Sequence, residues 1–109
     1  YLMGVNALWT ASRMRLPVMF VIANNLSYFN DEMHQERVAI QRDRPKENRW
    51  IGQRLDDPPA DLVGFARAQG FEGESAETYE ALEAALARGA KVVAEGGRFL
   101  VDARIVTRG

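Results

Sequence analysis

The chain has 109 residues, enough for one domain with a modest core, or part of one, and too few for two. Hydrophobic residues make up 47%, charged residues 27%, and the formal net charge is -1, so the electrostatics give no reason to expect nucleic acid or an anionic membrane. Without cysteine there is no disulfide, thiolate zinc site or cysteine nucleophile, which fits a cytoplasmic protein, and the longest apolar run, Leu16 to Ala23, is far shorter than the ~20 residues of a membrane span.

The chain opens on Tyr1 rather than Met and runs at once into apolar sequence, so the expectation is a piece of a longer protein. From Gly4 to Arg15 the residues Val5, Leu8, Trp9 and Met14 recur at near-helical spacing and predict an amphipathic helix. Leu16 and Pro17 end it. Pro17 to Ala23 is continuously apolar and rich in β-branched residues, as in a central strand buried on both faces of a parallel sheet. Asn24 and Asn25 follow, at the carboxyl end of that strand, where ligands bind in open α/β sheets. A plain turn is the competing account, since Asn tolerates left-handed backbone.

Leu26 to Pro59 is long and polar, with Asp31, Glu32, His34, a series of arginines and an isolated Trp50. Its Asp31 to Gln41 part is compatible with a helix and Arg42 to Asp57 is not, so an ordered lid or interface segment is expected. Asp57-Pro58-Pro59 reads as a helix start, with Leu62, Val63, Phe65 and Ala66 as its apolar contacts and Gly70 as its end. A short strand near Phe71 follows. Ser75 is the expected N-cap of the next helix, whose face is Tyr79, Leu82, Leu86, Ala90 and Val93, ending at Gly96-Gly97. Alternatively Gly89 ends the helix, and Lys91 to Glu95 pairs with Phe99 in a hairpin. Arg98 to Val106 reads as the last strand. Strands alternating with helices imply a three-layer α/β fold with a mainly parallel sheet flanked by helices.

ALWTASRMRLPVMFVIANN resembles the second half of the thiamine-diphosphate binding motif, which runs from Gly-Asp-Gly through about two dozen residues to Asn-Asn. Here 23 residues precede Asn24-Asn25, so Gly-Asp-Gly would fall almost immediately before Tyr1. IGQRLDDPPADLVGFARAQGFEG and GGRFLVDARIV are similar to later stretches of the same family, closest to its acetolactate synthase, benzoylformate decarboxylase and benzaldehyde lyase group. Residues 33 to 50 are the least typical part. The resemblance implies that 1–109 is the C-terminal portion of a thiamine-diphosphate-binding domain, incomplete at its N-terminus and inactive alone.

The resemblance implies further that Asn25 offers its side-chain oxygen, and Ser27 its main-chain carbonyl, to the Mg²⁺ that clamps the cofactor diphosphate. Such a hard cation takes oxygen ligands, usually one or two from protein beside substrate phosphates. Asn24, Leu26 and Tyr28 complete the expected cofactor loop, with Asn24 bracing the turn and Tyr28 either covering the cofactor or packing. The activating glutamate belongs, in the family, to a separate pyrimidine-binding domain, so a homo-oligomer, dimer or tetramer, is implied. So is a 2-keto acid substrate, decarboxylated or carboligated.

Asp31 falls where the pyruvate decarboxylase branch carries an active-site acid, and Glu32 and His34 lie nearby as further proton-transfer candidates. Against this, acids just after a turn commonly stabilise a helix N-terminus, and a lone His is commonly a surface residue. The arginines suit an anionic substrate or second nucleotide, yet interleaved acids favour an ion-paired segment or interface. Trp50 beside Arg49 supports an interface. The rival function is therefore a non-catalytic α/β interaction module using the Arg-rich 36–57 segment. An oxidase branch that also binds flavin is not separable here, because flavin contacts in such proteins lie in another domain.

Overall fold

A computed structural model describes residues 1–106; the rest of the 1–109 span lies outside the described residues. The elements are α1 (Ala7–Arg13), β1 (Val18–Asn24), α2 (Phe29–Gln41), α3 (Leu62–Ala68), β2 (Glu72–Ala76), α4 (Tyr79–Ala94) and β3 (Arg98–Arg104). They fall into two compact units: Tyr1–Asn24 with Asp61–Ile105, and Asn25–Ala60 with Val106.

In the first unit three parallel strands are ordered β1-β3-β2. Alternation along β3 sends Leu100 to one face and Phe99, Val101 and Ala103 to the other. Leu100 packs with Leu8 and Ala11 of α1, Val63 and Ala66 of α3, and Phe71. Opposite them, Phe99, Val101 and Ala103 pack on Ala85, with Met19, Leu82, Leu86 and Val92 around them. Helices thus cover both faces of a parallel sheet, the three-layer α/β architecture expected. Leu100 and Val101 are completely buried, each worth roughly 1.5–3 kcal/mol of transfer free energy.

Several local expectations are corrected. The first apolar strand is an edge of this sheet and β3 is central, so Phe20 and Val21 of β1 remain 39% and 49% exposed. On α1 the buried face is Leu8 and Ala11, whereas Trp9 and Met14 are exposed. Pro58 and Pro59 precede α3 rather than opening it: the Asp57–Pro58 peptide is cis and Asp56 bridges to Pro59. The cap is Asp61, whose carboxylate accepts from the Gly64 amide at 2.9 Å. Gly70, at φ +91°, ends the segment. Ser75 lies in β2, and the cap of α4 is Thr78, whose hydroxyl accepts from the Ala81 amide at 3.1 Å. The polar stretch from Leu26 contains a helix, α2, starting at Phe29, and the long form of α4 is the one observed.

Gly89 does not break α4 because packing requires it. The buried face of this helix is centred on Ala85 and Gly89, not on Tyr79, which is 75% exposed. A Cβ at Gly89 would sit 2.4 Å from the Met19 sulfur and 2.8 Å from the Phe99 ring. The helix therefore approaches the sheet more closely than any side chain permits. Gly89→Leu is expected to destabilise the fold by about 1–3 kcal/mol through overpacking, although helix propensity alone would favour the change by roughly 0.8 kcal/mol. Thermal unfolding followed by circular dichroism checks this: an unchanged or higher midpoint would show that α4 is not seated so tightly.

Candidate functional site

The parallel register fixes where β1 delivers the chain. Asn24 pairs with Arg104, Ile22 and Ser75 both sit opposite Asp102, and Asn24 accepts the Ile105 amide through its carbonyl at 2.9 Å. Its side-chain Nδ2 donates to Oδ1 of Asp102 at 2.9 Å. Asp102 is only 4% exposed, and its other oxygen lies 3.5 Å from the Ser75 hydroxyl. A buried carboxylate thus secures the first Asn of the pair by its amide nitrogen.

Asn25 begins the second unit, and the loop it opens is built from short-range bonds. The Asn25 side-chain oxygen accepts the Ser27 amide at 3.2 Å, closing a tight turn over Leu26, which adopts left-handed backbone at φ +58°. That conformation costs a branched residue roughly 1–2 kcal/mol. Main-chain bonds oppose the cost: Leu55 donates to the Leu26 carbonyl at 2.7 Å and Tyr28 donates to the Gln53 carbonyl at 2.9 Å, with Ser27 and Arg54 bridged antiparallel between them. Tyr28 occupies the N-cap position of α2 and is partly buried, with its side chain making no capping bond.

Glu32, in the first turn of α2, is the most constrained acid of this unit, with no exposed surface. Its Oε1 accepts from the Ser27 hydroxyl and from Arg54 Nε, the latter at 2.8 Å. Its Oε2 is buried and has no partner among the described residues. Burial pushes the Glu32 carboxyl up, but the bonds from Ser27 and Arg54 and the positive charges of Arg54 and Arg49 outweigh it and hold the carboxyl below its ordinary range. Around this group lies a cavity of about 260 Å³ whose walls include Asn25, Ser27, Glu32, Arg54 and Asp56. Two carboxylates against one guanidinium leave its lining net negative, which suits a cation.

The other candidates lie apart from that cavity. Asp31 is exposed on the first turn of α2, well placed to favour the positive end of the helix dipole. His34 is exposed and belongs to a second cavity, of about 390 Å³, together with Val38, Arg42, Arg44, Lys46 and Arg49. Of the arginines in this segment, Arg49 is ion-paired with Glu36 at 3.0 Å and Arg54 with Glu32, so two of them are engaged within the segment. Trp50 is 48% exposed. Among the described residues, no group of three or more His, Cys, Asp and Glu could hold a metal ion. The feature that sequence reasoning missed is the partnership of Glu32 with Arg54. An acid followed by an arginine 22 positions later carries no periodic signal, and only the closure of the loop joins them.

The sequence matches the family described as thiamine pyrophosphate enzyme, C-terminal TPP binding domain, over residues 1–103. No curated protein sequence matches it significantly. Among solved structures it resembles the Rhodococcus jostii RHA1 thiamine diphosphate-dependent 4-hydroxybenzoylformate decarboxylase, with TM-score 0.75 and 24% identity over 96% of this chain. The chain spans 18% of that protein's length, and the likeness is one of fold. No described helix is long and apolar enough to cross a membrane.

The depressed Glu32 carboxyl has a consequence for stability. The folded state binds its proton less readily than the unfolded chain, whose value is near the ordinary 4.5. Its contribution is therefore full above that value and is lost as the pH falls through the lower folded value. Denaturant unfolding of the wild type and Glu32→Gln between pH 7 and pH 3 should show the wild type ahead at neutral pH and its advantage shrinking in acid. A gap independent of pH would mean that the charge of Glu32 contributes nothing.

Proposed function

This chain belongs to the thiamine pyrophosphate enzymes, as a C-terminal TPP-binding domain, and on that premise we propose that its Asn25–Tyr28 loop holds the diphosphate end of thiamine diphosphate through Mg²⁺. The family match over residues 1–103 carries the reading, and Asn24-Asn25 stand at the carboxyl end of β1. The loop's own chemistry supports it. Asn25 Oδ1 makes one long bond, at 3.2 Å, and keeps a second lone pair, while the Ser27 carbonyl lies on the same turn. Both are neutral oxygens in a cavity of negative lining. Such a lining would suit a hard cation, which would be held here by protein oxygens together with those of the diphosphate. Leu26, held left-handed between them, turns the chain sharply at this point. Asn24 contributes indirectly, since its amide nitrogen is committed to Asp102.

When bound, thiamine diphosphate supplies the electron sink for cleaving or forming a carbon–carbon bond next to a carbonyl. This chain's residues hold its diphosphate and metal in place. The substrate on this reading is a 2-keto acid, decarboxylated or carboligated. The name of the structural neighbour, a decarboxylase of 4-hydroxybenzoylformate, agrees with that class. The whole enzyme is then a cytoplasmic homo-oligomer, a dimer or tetramer, whose cofactor-activating glutamate comes from another domain. Asp31 and His34, exposed on α2, are assigned no catalytic step.

Calorimetric titration of thiamine diphosphate with Mg²⁺ into the full-length protein tests the proposal. Magnesium-dependent binding is expected in the wild type, and Asn25→Ala should weaken it by at least about 100-fold, as loss of a direct ligand does more than the 10–100-fold typical of a supporting group. Equal affinity in the variant would remove Asn25 from the site.

A further inference from the structure

We infer that Glu32 is the positioning residue of the cofactor loop: buried beneath it, the carboxylate holds Ser27 by its hydroxyl and so fixes the carbonyl that faces the metal, while Arg54 locks the carboxylate in place. The inference rests on the thiamine diphosphate and Mg²⁺ reading of the same loop.

Its first support is what the burial of Glu32 costs. A carboxylate with no exposed surface carries a desolvation penalty of several kcal/mol, so it persists where partners or function offset it. Here a single oxygen, Oε1, takes both the Ser27 hydroxyl and Arg54 Nε. A purely structural ion pair with an arginine would favour the two-pronged arrangement that uses both oxygens. Instead Oε2 is left buried without a donor, in a residue that lines the loop cavity. An orphaned acceptor of this kind costs roughly 1–3 kcal/mol. A bound Mg²⁺ that kept part of its hydration would offer Oε2 a water donor and so offset that cost.

A second support is the placement of the partners. Ser27 and Arg54 are bridged to one another through the main chain, between the bonds Tyr28 to Gln53 and Leu55 to Leu26. The side-chain chain Ser27–Glu32–Arg54 therefore closes the same base that the backbone closes. Rotation of the Ser27 peptide would break the hydroxyl bond to Glu32, and movement of Glu32 would strip Arg54, which is 47% exposed and has its charge satisfied there. Asp56, the other acid of the cavity wall, is exposed and has no such hold on the loop. Ligand-orienting groups of this type, when removed, lower metal affinity by about 10–100-fold.

The experiment is a Mg²⁺ titration of the full-length protein at saturating thiamine diphosphate, read by calorimetry and, with Mn²⁺ in place of Mg²⁺, by the electron paramagnetic resonance of the free ion. Glu32→Gln, Arg54→Met, Ser27→Ala and the Glu32→Gln/Ser27→Ala double variant are compared with wild type, and each is also melted without cofactor or metal. Glu32→Gln and Ser27→Ala should each raise the metal concentration for half-saturation about 10-fold or more. The double variant should be no worse than the stronger single, because both act through one bond. Excess metal should restore full cofactor binding. An unchanged metal requirement in folded Glu32→Gln and Ser27→Ala overturns the inference, as does additivity in the double variant. If Glu32→Gln fails to fold, Ser27→Ala, which removes only a hydroxyl, decides alone. Absence of magnesium-dependent binding in the wild type would be a failure of the cofactor reading itself, seen before any variant is made.

Discussion

Strand β3 is hydrogen-bonded along both edges, and nearly everything else in its unit takes position from it. β1 and β2 are not paired with each other; each is placed by its own register against β3. With Ala23 and Ala76 both opposite Ala103, the two flanking strands end within one residue of the same level. Because the strands are parallel, that level is a carboxyl edge, where the chain can present loops without a hairpin return. The two faces of β3 then collect α1 and α3 on one side and α4 on the other. Its alternation admits one polar residue to the interior, Asp102, and admits it beside Asn24.

Among the described residues each unit buries one acid, and each acid holds a residue within two positions of Asn25 in the sequence. Asp102 takes the amide of Asn24 in the first unit, and Glu32 takes the hydroxyl of Ser27 in the second. The two differ in chemistry. Asp102 is met by neutral donors, whereas Glu32 is met by a guanidinium as well as a hydroxyl. Buried carboxylates are uncommon because desolvation opposes them. In the second unit this uncommon feature, the buried Glu32, holds a residue of the loop where function is proposed.

What could be read from the sequence was whatever local periodicity or spacing encodes. The apolar run before Asn24 is a strand, the late amphipathic stretch is a helix, and the Asn pair with its flanks led to the right family. Sheet order was not legible, because which strand lies in the middle depends on pairings between distant segments; β1 has the apolar character of a central strand but takes an edge here. Caps were misplaced where two residues of similar propensity compete a few positions apart, as Ser75 and Thr78 do, or where a proline pair masks the acid that follows it, as at Asp61. Gly89 looked like a weakness because propensity scores a helix in isolation, whereas the sheet sets what fits against it. Glu32 was among the weak candidates for proton transfer. Nothing local distinguishes it from Asp31 one residue earlier, and only the fold turns one inward and the other outward.

The backbone bonds that pair Leu26 with Leu55 and Tyr28 with Gln53 close the intervening chain at its base. Closing a longer chain at the same base is inexpensive, about 0.6 kcal/mol for each doubling of length. The tip of this segment can therefore be rewritten, lengthened or trimmed while its root keeps its shape. For a protein engineer that makes the tip a port: foreign segments can be grafted between Glu36 and Arg49, themselves joined by an ion pair, without retooling the root.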